Sequence, residues 1–190
     1  MIDTLILSGG GPSGIAYAGI LKALTEYDIF RKDELKCMIT TSVGIIFAIL
    51  YLLDYNILQI EKIVLETDLN KLLNSEDLEI DDLLVKFGLF NNKPIGDSIS
   101  SFIRHKTQKN DLTLKELYDY SKIILTVKVY NVDKGKTEYI NYKNNPDIGL
   151  TKLSMMTTAI PYLFQPIKYN DNLYVDGGLK GHFPIEECES

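Results

Sequence analysis

The chain has no tryptophan, two cysteines and two histidines in 190 residues. Cys37 and Cys188 make neither a disulfide framework nor a metal-site spacing. A core thiol and a tail thiol are the plain reading, and a reducing compartment fits it. Basic charge is also short. Lys and Arg number 20 against 26 Asp and Glu, for a net charge of −6 and a pI near 5.0. Phosphate recognition needs clustered basic side chains, so nucleic acid is not an expected partner. Docking on anionic lipid by charge alone is disfavoured for the same reason, and any membrane contact must rest on apolar groups. Long hydrophobic runs are missing too. The longest, Val43 to Leu53, falls well short of the roughly 20 residues a spanning helix needs and reads as a core helix that is apolar on every side. The N-terminus passes into Asp3-Thr4-Leu5-Ile6-Leu7 with no basic region before it, so no signal peptide is visible. An intracellular protein, soluble or peripherally bound to membrane, is the expectation.

Hydrophobic residues make up 45% and charged residues 24%, which supports a folded core rather than disorder. The length suits one domain, 1–190, with no repeats, low-complexity tracts or linkers. The chain ends in polar residues soon after Asp176, which fits either a trimmed or a compact form. Leu5-Ile6-Leu7 reads as a short buried strand, Ile15 to Tyr27 as a helix, Leu35 to Ile39 as a second strand and the apolar run to about Tyr55 as a second helix. This alternation points to an α/β fold with a mainly parallel sheet covered by helices. Residues 57 to 73 and 76 to 87 carry amphipathic helix patterns, and Pro94 to His105 is another helix candidate. Thr113-Leu114-Lys115-Glu116 is a capping box. Ile123 to Val132 and Thr137 to Tyr142 form a hairpin around Asp133-Lys134-Gly135-Lys136. Leu150 to Ala159 is helical, and Phe164 to Tyr169 and Leu173 to Val175 are strands around Asn170-Asp171-Asn172.

Three segments carry chemistry. The first is Ser8-Gly9-Gly10-Gly11-Pro12-Ser13-Gly14, between a strand and a helix. Glycine there lets the backbone approach a ligand, and the helix N-terminus offers N–H groups to negative charge. A dinucleotide pyrophosphate is one reading, but that fold needs an acid at the end of the second strand. Here the strand ends in Thr40-Thr41-Ser42. A nucleotide P-loop lacks its Gly-Lys-Ser/Thr. An oxyanion hole is the third reading, and a glycine-rich packing turn is the plain one.

The second segment is Thr40-Thr41-Ser42-Val43-Gly44. Strand, sharp turn, serine and helix in that order fit a nucleophile elbow, with Gly44 small enough for the strand and helix to approach. A helix N-cap serine is the plain alternative. The third segment is Asp176-Gly177-Gly178, where two glycines allow a tight turn that presents the carboxylate. A turn-forming Asp-Gly is the plain reading here. A serine hydroxyl needs a base. His105 lies in the charged stretch Arg104-His105-Lys106 and reads as a surface residue. His182 follows Asp176 too closely for a comfortable triad, which leaves Asp176 as a direct base or His182 as its rival.

Taken together, these segments resemble the patatin-like phospholipase family over nearly the whole chain. Gly9 to Ile15 looks like that family's oxyanion-hole motif, and Thr41-Ser42-Val43-Gly44 like its nucleophile motif. Phe87-Gly88-Leu89-Phe90 and Leu114-Lys115-Glu116-Leu117-Tyr118 look like its central stretches. Thr157 to Pro166 is similar to the segment before the acid, and Val175-Asp176-Gly177-Gly178-Leu179 with Phe183-Pro184-Ile185 to its Asp-Gly-Gly motif. Two positions depart from the family. Thr40 stands where it has the first glycine of Gly-x-Ser-x-Gly, and Ser13 where a basic residue often sits.

The resemblance implies a single three-layer α/β/α domain that hydrolyses lipid acyl esters, phospholipase A type, without metal or cofactor. Ser42 is the implied nucleophile and Asp176 the base. Gly9, Gly10 and Gly11 supply the oxyanion hole, and Gly14, Gly44, Gly177 and Gly178 support the motifs. The implied partners are a phospholipid or other acyl-lipid substrate and a peripheral membrane contact. The second reading is a patatin-like lipid-binding module with little or no catalysis, which Thr40 keeps open. The third, more remote, is a flavoprotein.

Overall fold

The computed structural model describes residues 2–67 and 88–188. β1 (Thr4–Leu7) leads through a 3-10 turn, Gly11–Ile15, into α1 (Ala16–Glu26). β2 (Cys37–Thr41), α2 (Gly44–Leu52) and α3 (Ile57–Glu66) follow. Then come β3 (Gly88–Phe90), α4 (Lys93–Thr107), α5 (Leu114–Ser121) and the hairpin of β4 (Ile124–Asn131) and β5 (Lys136–Ile140). The remainder is α6 (Leu150–Thr157), β6 (Tyr162–Phe164), β7 (Ile167–Tyr169) and β8 (Asn172–Asp176). The central sheet runs β1-β2-β4-β8-β7, with β5 also paired to β4, and β3 pairs with β6 separately.

The fold is α/β as the alternation of strands and helices suggests, but the sheet is mixed. β1, β2 and β4 are parallel, while β5 and β8 run antiparallel to β4 and β7 antiparallel to β8. Connection length explains the change. A parallel pair needs a crossover of a dozen or more residues, which α1 provides between β1 and β2. The short turns after β4 and β7 can only reverse the chain. The expected strand Phe164–Tyr169 is split in two: Pro166 has no N–H to donate, and its two sides pair with different partners, β3 and β8. Asn170 and Asp171, both at positive φ, close the β7–β8 hairpin, as primed two-residue turns require.

Local signals account for the helices. The Thr113 hydroxyl accepts from the Glu116 N–H and the Glu116 carboxylate accepts from the Thr113 N–H, which is the expected capping box. A second box, Asn56 with Gln59, opens α3. Seven of the nine residues of α2 are buried, so the apolar run is a core helix. The helix expected over 57–73 ends at Glu66, because Thr67 turns to extended backbone as its C-cap. Residues 68–73, the helix expected at 76–87 and Phe87 of the motif before Gly88 lie outside the described residues.

β4 does most to place the site. A strand has two edges, and β5 occupies one of them along Val127–Asn131. The other edge is shared. β2 covers it from Ile124 to Lys128, and β8 covers it from Val129 to Asn131. The two strands point toward each other, so their C-terminal ends meet. Thr41 lies opposite Lys128, and Asp176 lies opposite the next residue, Val129.

Candidate active site

Ser42 follows Thr41 at that junction. Its φ is +52°, a left-handed conformation that costs a non-glycine residue about 1–3 kcal/mol and persists only where surroundings impose it. Two features impose it here. Gly44 lies so close to the end of β1 that a Cβ on it would sit 2.5 Å from the Leu7 carbonyl oxygen, so only glycine lets α2 start there. The Ser42 N–H donates to the Thr157 Oγ1 at 2.8 Å, and that hydroxyl donates to the Lys128 carbonyl, also at 2.8 Å. One side chain of α6 therefore ties the elbow to β4. Thr40 fits behind the elbow fully buried, and among the described residues its hydroxyl has no hydrogen-bond partner.

Asp176 ends β8 with its N–H donating to the Ala159 carbonyl at 2.9 Å. Its Oδ1 accepts from the Gly178 N–H at 2.7 Å, the tight turn the two glycines permit. Gly177 crosses β4 so closely that a Cβ would be 2.4 Å from the Lys128 carbonyl oxygen. Both Ser42 and Asp176 are buried. Burial pushes the Asp176 carboxyl above the ordinary carboxylate range, opposed by the Ser42 side chain, the Gly178 N–H and nearby His182. Serine and carboxylate, 134 positions apart, are thus neighbours.

The glycine loop lies over this pair. A Cβ on Gly9 would stand 3.2 Å from both the Ser42 Cβ and the His182 Nδ1, so Gly9 sits between the two. Its N–H donates to the His182 carbonyl at 3.1 Å and is already committed. Gly10 and Gly11 lead into the 3-10 turn, with Gly11 at φ +51°, where a helix N-terminus leaves N–H groups without intrahelical partners. Gly14 packs on the Val43 side chain. Gly9, Gly10, Gly11, Gly14, Ser42, Gly44, Asp176, Gly177 and Gly178 therefore all belong to one neighbourhood. His105 does not: it lies on α4 against Tyr55.

The sequence alone assigns no role to Thr157 or Lys128 and ranks His182 behind Asp176. His182 packs against Gly178, where a Cβ would be 2.7 Å from its Nδ1, and lies near the Asp176 carboxylate. Its six-residue spacing from Asp176 had argued against it, but the 3-10 turn Gly177–Lys180 brings the chain back. Lys128 carries no sequence signal, and Thr157, although it opens the Thr157–Pro166 stretch, shows no role of its own there, since a lysine in a strand and a threonine in a helix are ordinary until their partners are known.

Beside Ser42 opens a cavity of about 230 Å³. Ile46, Phe47, Ile99, Phe102, Leu163 and Phe164 form much of its wall, and its only hydroxyl-bearing lining residues among those described are Ser42, Thr67, Ser98 and Thr158. Among the described residues no group of three or more His, Cys, Asp or Glu is placed to hold a metal ion.

The model of the patatin-like phospholipase family matches residues 5–188. The chain belongs to the patatin-like phospholipase family. Its relatives include a protein named "Probable lipid hydrolase 463L" of Invertebrate iridescent virus 6, 31% identical over 183 residues, 96% of this chain and 62% of that protein. They also include the uncharacterized protein YqhO of Bacillus subtilis, 29% identical over 95% of this chain and 64% of that one. The chain spans about three fifths of the length of the curated relatives it matches. Among solved structures, VipD from Legionella pneumophila superposes with a TM-score of 0.77 at 17% identity, over 96% of this chain and 47% of VipD. ExoU of Pseudomonas aeruginosa, solved with SpcU, gives 0.62 at 17% identity over 83% of this chain and 38% of ExoU. At these identities the likeness is one of fold. It matches the α/β/α architecture expected of a patatin-like chain.

Proposed function

We propose that this patatin-like chain is a serine lipid acyl hydrolase that cleaves fatty acyl esters of phospholipids, phospholipase A type, through a Ser42–Asp176 dyad. The observation that carries the reading is a strained, buried serine beside a buried carboxylate at the wall of an apolar cavity. Apolar pockets with a few convergent polar groups are where ligands bind, and a hydrocarbon chain gains about 0.8 kcal/mol for each methylene buried.

In this scheme the acyl chain lies along Ile46, Phe47 and Ile99, with its ester carbonyl at Ser42. The Ser42 oxygen attacks the carbonyl carbon as its proton passes to Asp176, and the carbonyl oxygen becomes an oxyanion. The Gly10 and Gly11 N–H groups face that charge, while Gly9 holds the loop in place through its bond to the His182 carbonyl. One such donor is worth about 2.7–4 kcal/mol in the transition state. The tetrahedral adduct collapses, the C–O bond to the leaving alcohol breaks, and the alcohol takes the proton from Asp176. Asp176 then removes a proton from water as its oxygen attacks the acyl-serine, and passes that proton to the Ser42 oxygen as the C–O bond to serine breaks and the fatty acid leaves. The raised pKa of Asp176 makes its carboxylate a stronger base than an exposed one. No step requires a metal. Ile15 and Ile160 are both exposed and both line the cavity, and Leu179 and Phe183 are exposed beside the acid turn. These apolar groups are the proposed peripheral contact with a lipid surface, consistent with the acidic charge of the chain.

The test is release of free fatty acid from mixed phospholipid vesicles with EDTA present, wild type beside Ser42→Ala and Asp176→Ala. The dyad predicts loss in both variants with their folds retained. A fully active Asp176→Ala protein moves the base to His182. Folded wild type that releases no fatty acid, yet binds the vesicles, favours the lipid-binding reading.

A further inference from the structure

We propose that Lys128 is a positioning residue of this site: its buried ammonium holds the segment that carries Asp176 and His182 in register with the Ser42 elbow. The proposal deepens the hydrolase reading and rests on it for its kinetic consequence.

Lys128 sits inside the sheet at the point where β2 gives way to β8, with 0% of its surface exposed. A lysine is almost never fully buried unless paired. An ammonium has three N–H donors, and here they meet three acceptors. Nζ donates to the Lys180 carbonyl at 3.2 Å, the Gly181 carbonyl at 3.1 Å and Glu186 Oε1 at 2.8 Å. All three lie in the segment after Asp176. Gly181 immediately precedes His182, whose carbonyl accepts the Gly9 N–H and whose ring packs against Gly178 beside the Asp176 carboxylate.

The backbone of the same residue serves the other half. The Lys128 carbonyl accepts the Thr157 hydroxyl, which in turn accepts the Ser42 N–H. Side chain and main chain of one residue thus reach both strand ends, and through His182 the glycine loop. Stability alone does not call for a lysine there. A buried ion pair is often no better than well-packed apolar residues of the same volume. What an apolar residue lacks is the means to fix two carbonyls and a carboxylate in a segment with little regular structure. Glu186 is half-exposed, at 53% of its side chain, so its ion pair with Lys128 can be removed from the surface without opening the core.

The experiment compares wild type, Lys128→Gln and Glu186→Gln. The first readout is the NMR signal of the His182 imidazole, one of only two histidines in the chain, assigned with a His105→Gln control. It does not depend on activity. The second is kcat and KM for vesicle hydrolysis, per folded molecule. Expected is a shifted His182 signal in both variants with His105 unmoved. With it, kcat should fall several-fold in Glu186→Gln and by up to about 100-fold in Lys128→Gln, the scale of a 1 Å misplacement, at unchanged KM. If Lys128→Gln does not fold, Glu186→Gln carries the test. An unmoved His182 signal in folded Glu186→Gln overturns the proposal whether or not the protein hydrolyses lipid. A moved signal with wild-type kcat overturns its catalytic part. Wild type that shows the His182 signal but no serine-dependent hydrolysis overturns the hydrolase reading instead, and the NMR shift still decides the placement claim.

Discussion

Thr157→Val isolates the force that holds Ser42, the proposed nucleophile. The exchange keeps the shape of the side chain but removes its hydroxyl, which accepts from the Ser42 N–H and donates to the Lys128 carbonyl, both at 2.8 Å. Ser42, Lys128 and Thr157 are all buried, so water cannot replace either bond. A buried polar group left without its partner costs about 1–3 kcal/mol. Two such groups put the loss at about 2–6 kcal/mol, a large share of the roughly 5–15 kcal/mol that holds a typical domain together. Ser42 also has a reason of its own to move, because its left-handed backbone stores about 1–3 kcal/mol that the bond to Thr157 helps to contain. Displacing the hydroxyl by about 1 Å lowers the rate by about 100-fold. The assays are denaturant unfolding and the rate at which a fluorophosphonate probe labels Ser42 in the folded protein. Thr157→Ser keeps the hydroxyl and should label close to the wild-type rate. Stability within about 1 kcal/mol of wild type together with unchanged labelling in Thr157→Val would refute the idea that this hydroxyl holds the elbow.

Two further outcomes follow from the site. Burial raises the Asp176 pKa, and the proposed base is the carboxylate, so kcat/KM should fall as pH drops through a value above the ordinary 3.9 or so of an aspartate. The same shift means that the ionised group weakens the fold at neutral pH and that this cost fades as pH falls toward the unfolded-state value. Asp176→Asn should therefore be inactive yet more stable than wild type at pH 7, with the gain shrinking in acid. A variant whose stability relative to wild type does not change with pH would contradict this. In the cavity, Ile46→Trp should shorten the preferred acyl chain. For every two methylenes excluded, about 1.6 kcal/mol of binding is lost, or about 15-fold in kcat/KM. A chain-length series of esters measures this, and equal losses on short and long chains would count against an acyl pocket along α2.

Much of the fold could be read from local pattern. The apolar run after Ser42 has no polar face, so it could only be a core helix. The Thr113 capping box and the Asp133–Lys136 turn carry their geometry in single residues. The mixed character of the sheet was less accessible, because period-2 alternation reports burial and not the direction of the neighbouring strand. The break at Pro166 was missed for a similar reason: Phe164 to Tyr169 reads as one extended stretch, and only the separate partners of its halves show two strands.

The candidate site divides along the same line. By itself the sequence determined which residues are candidates for the chemistry: a serine between strand and helix, an acid before two glycines, and a glycine loop before a helix. These are local demands on backbone shape and show in residue type. Tertiary structure alone decided that β2 and β8 meet end to end along β4, that the Gly9 N–H is committed to the His182 carbonyl, and that Thr157 and Lys128 tie the two strand ends together. Hydrogen bonds between residues dozens of positions apart leave no periodic mark on a chain. Their partners are fixed only when strand register brings them within 3 Å or so of each other.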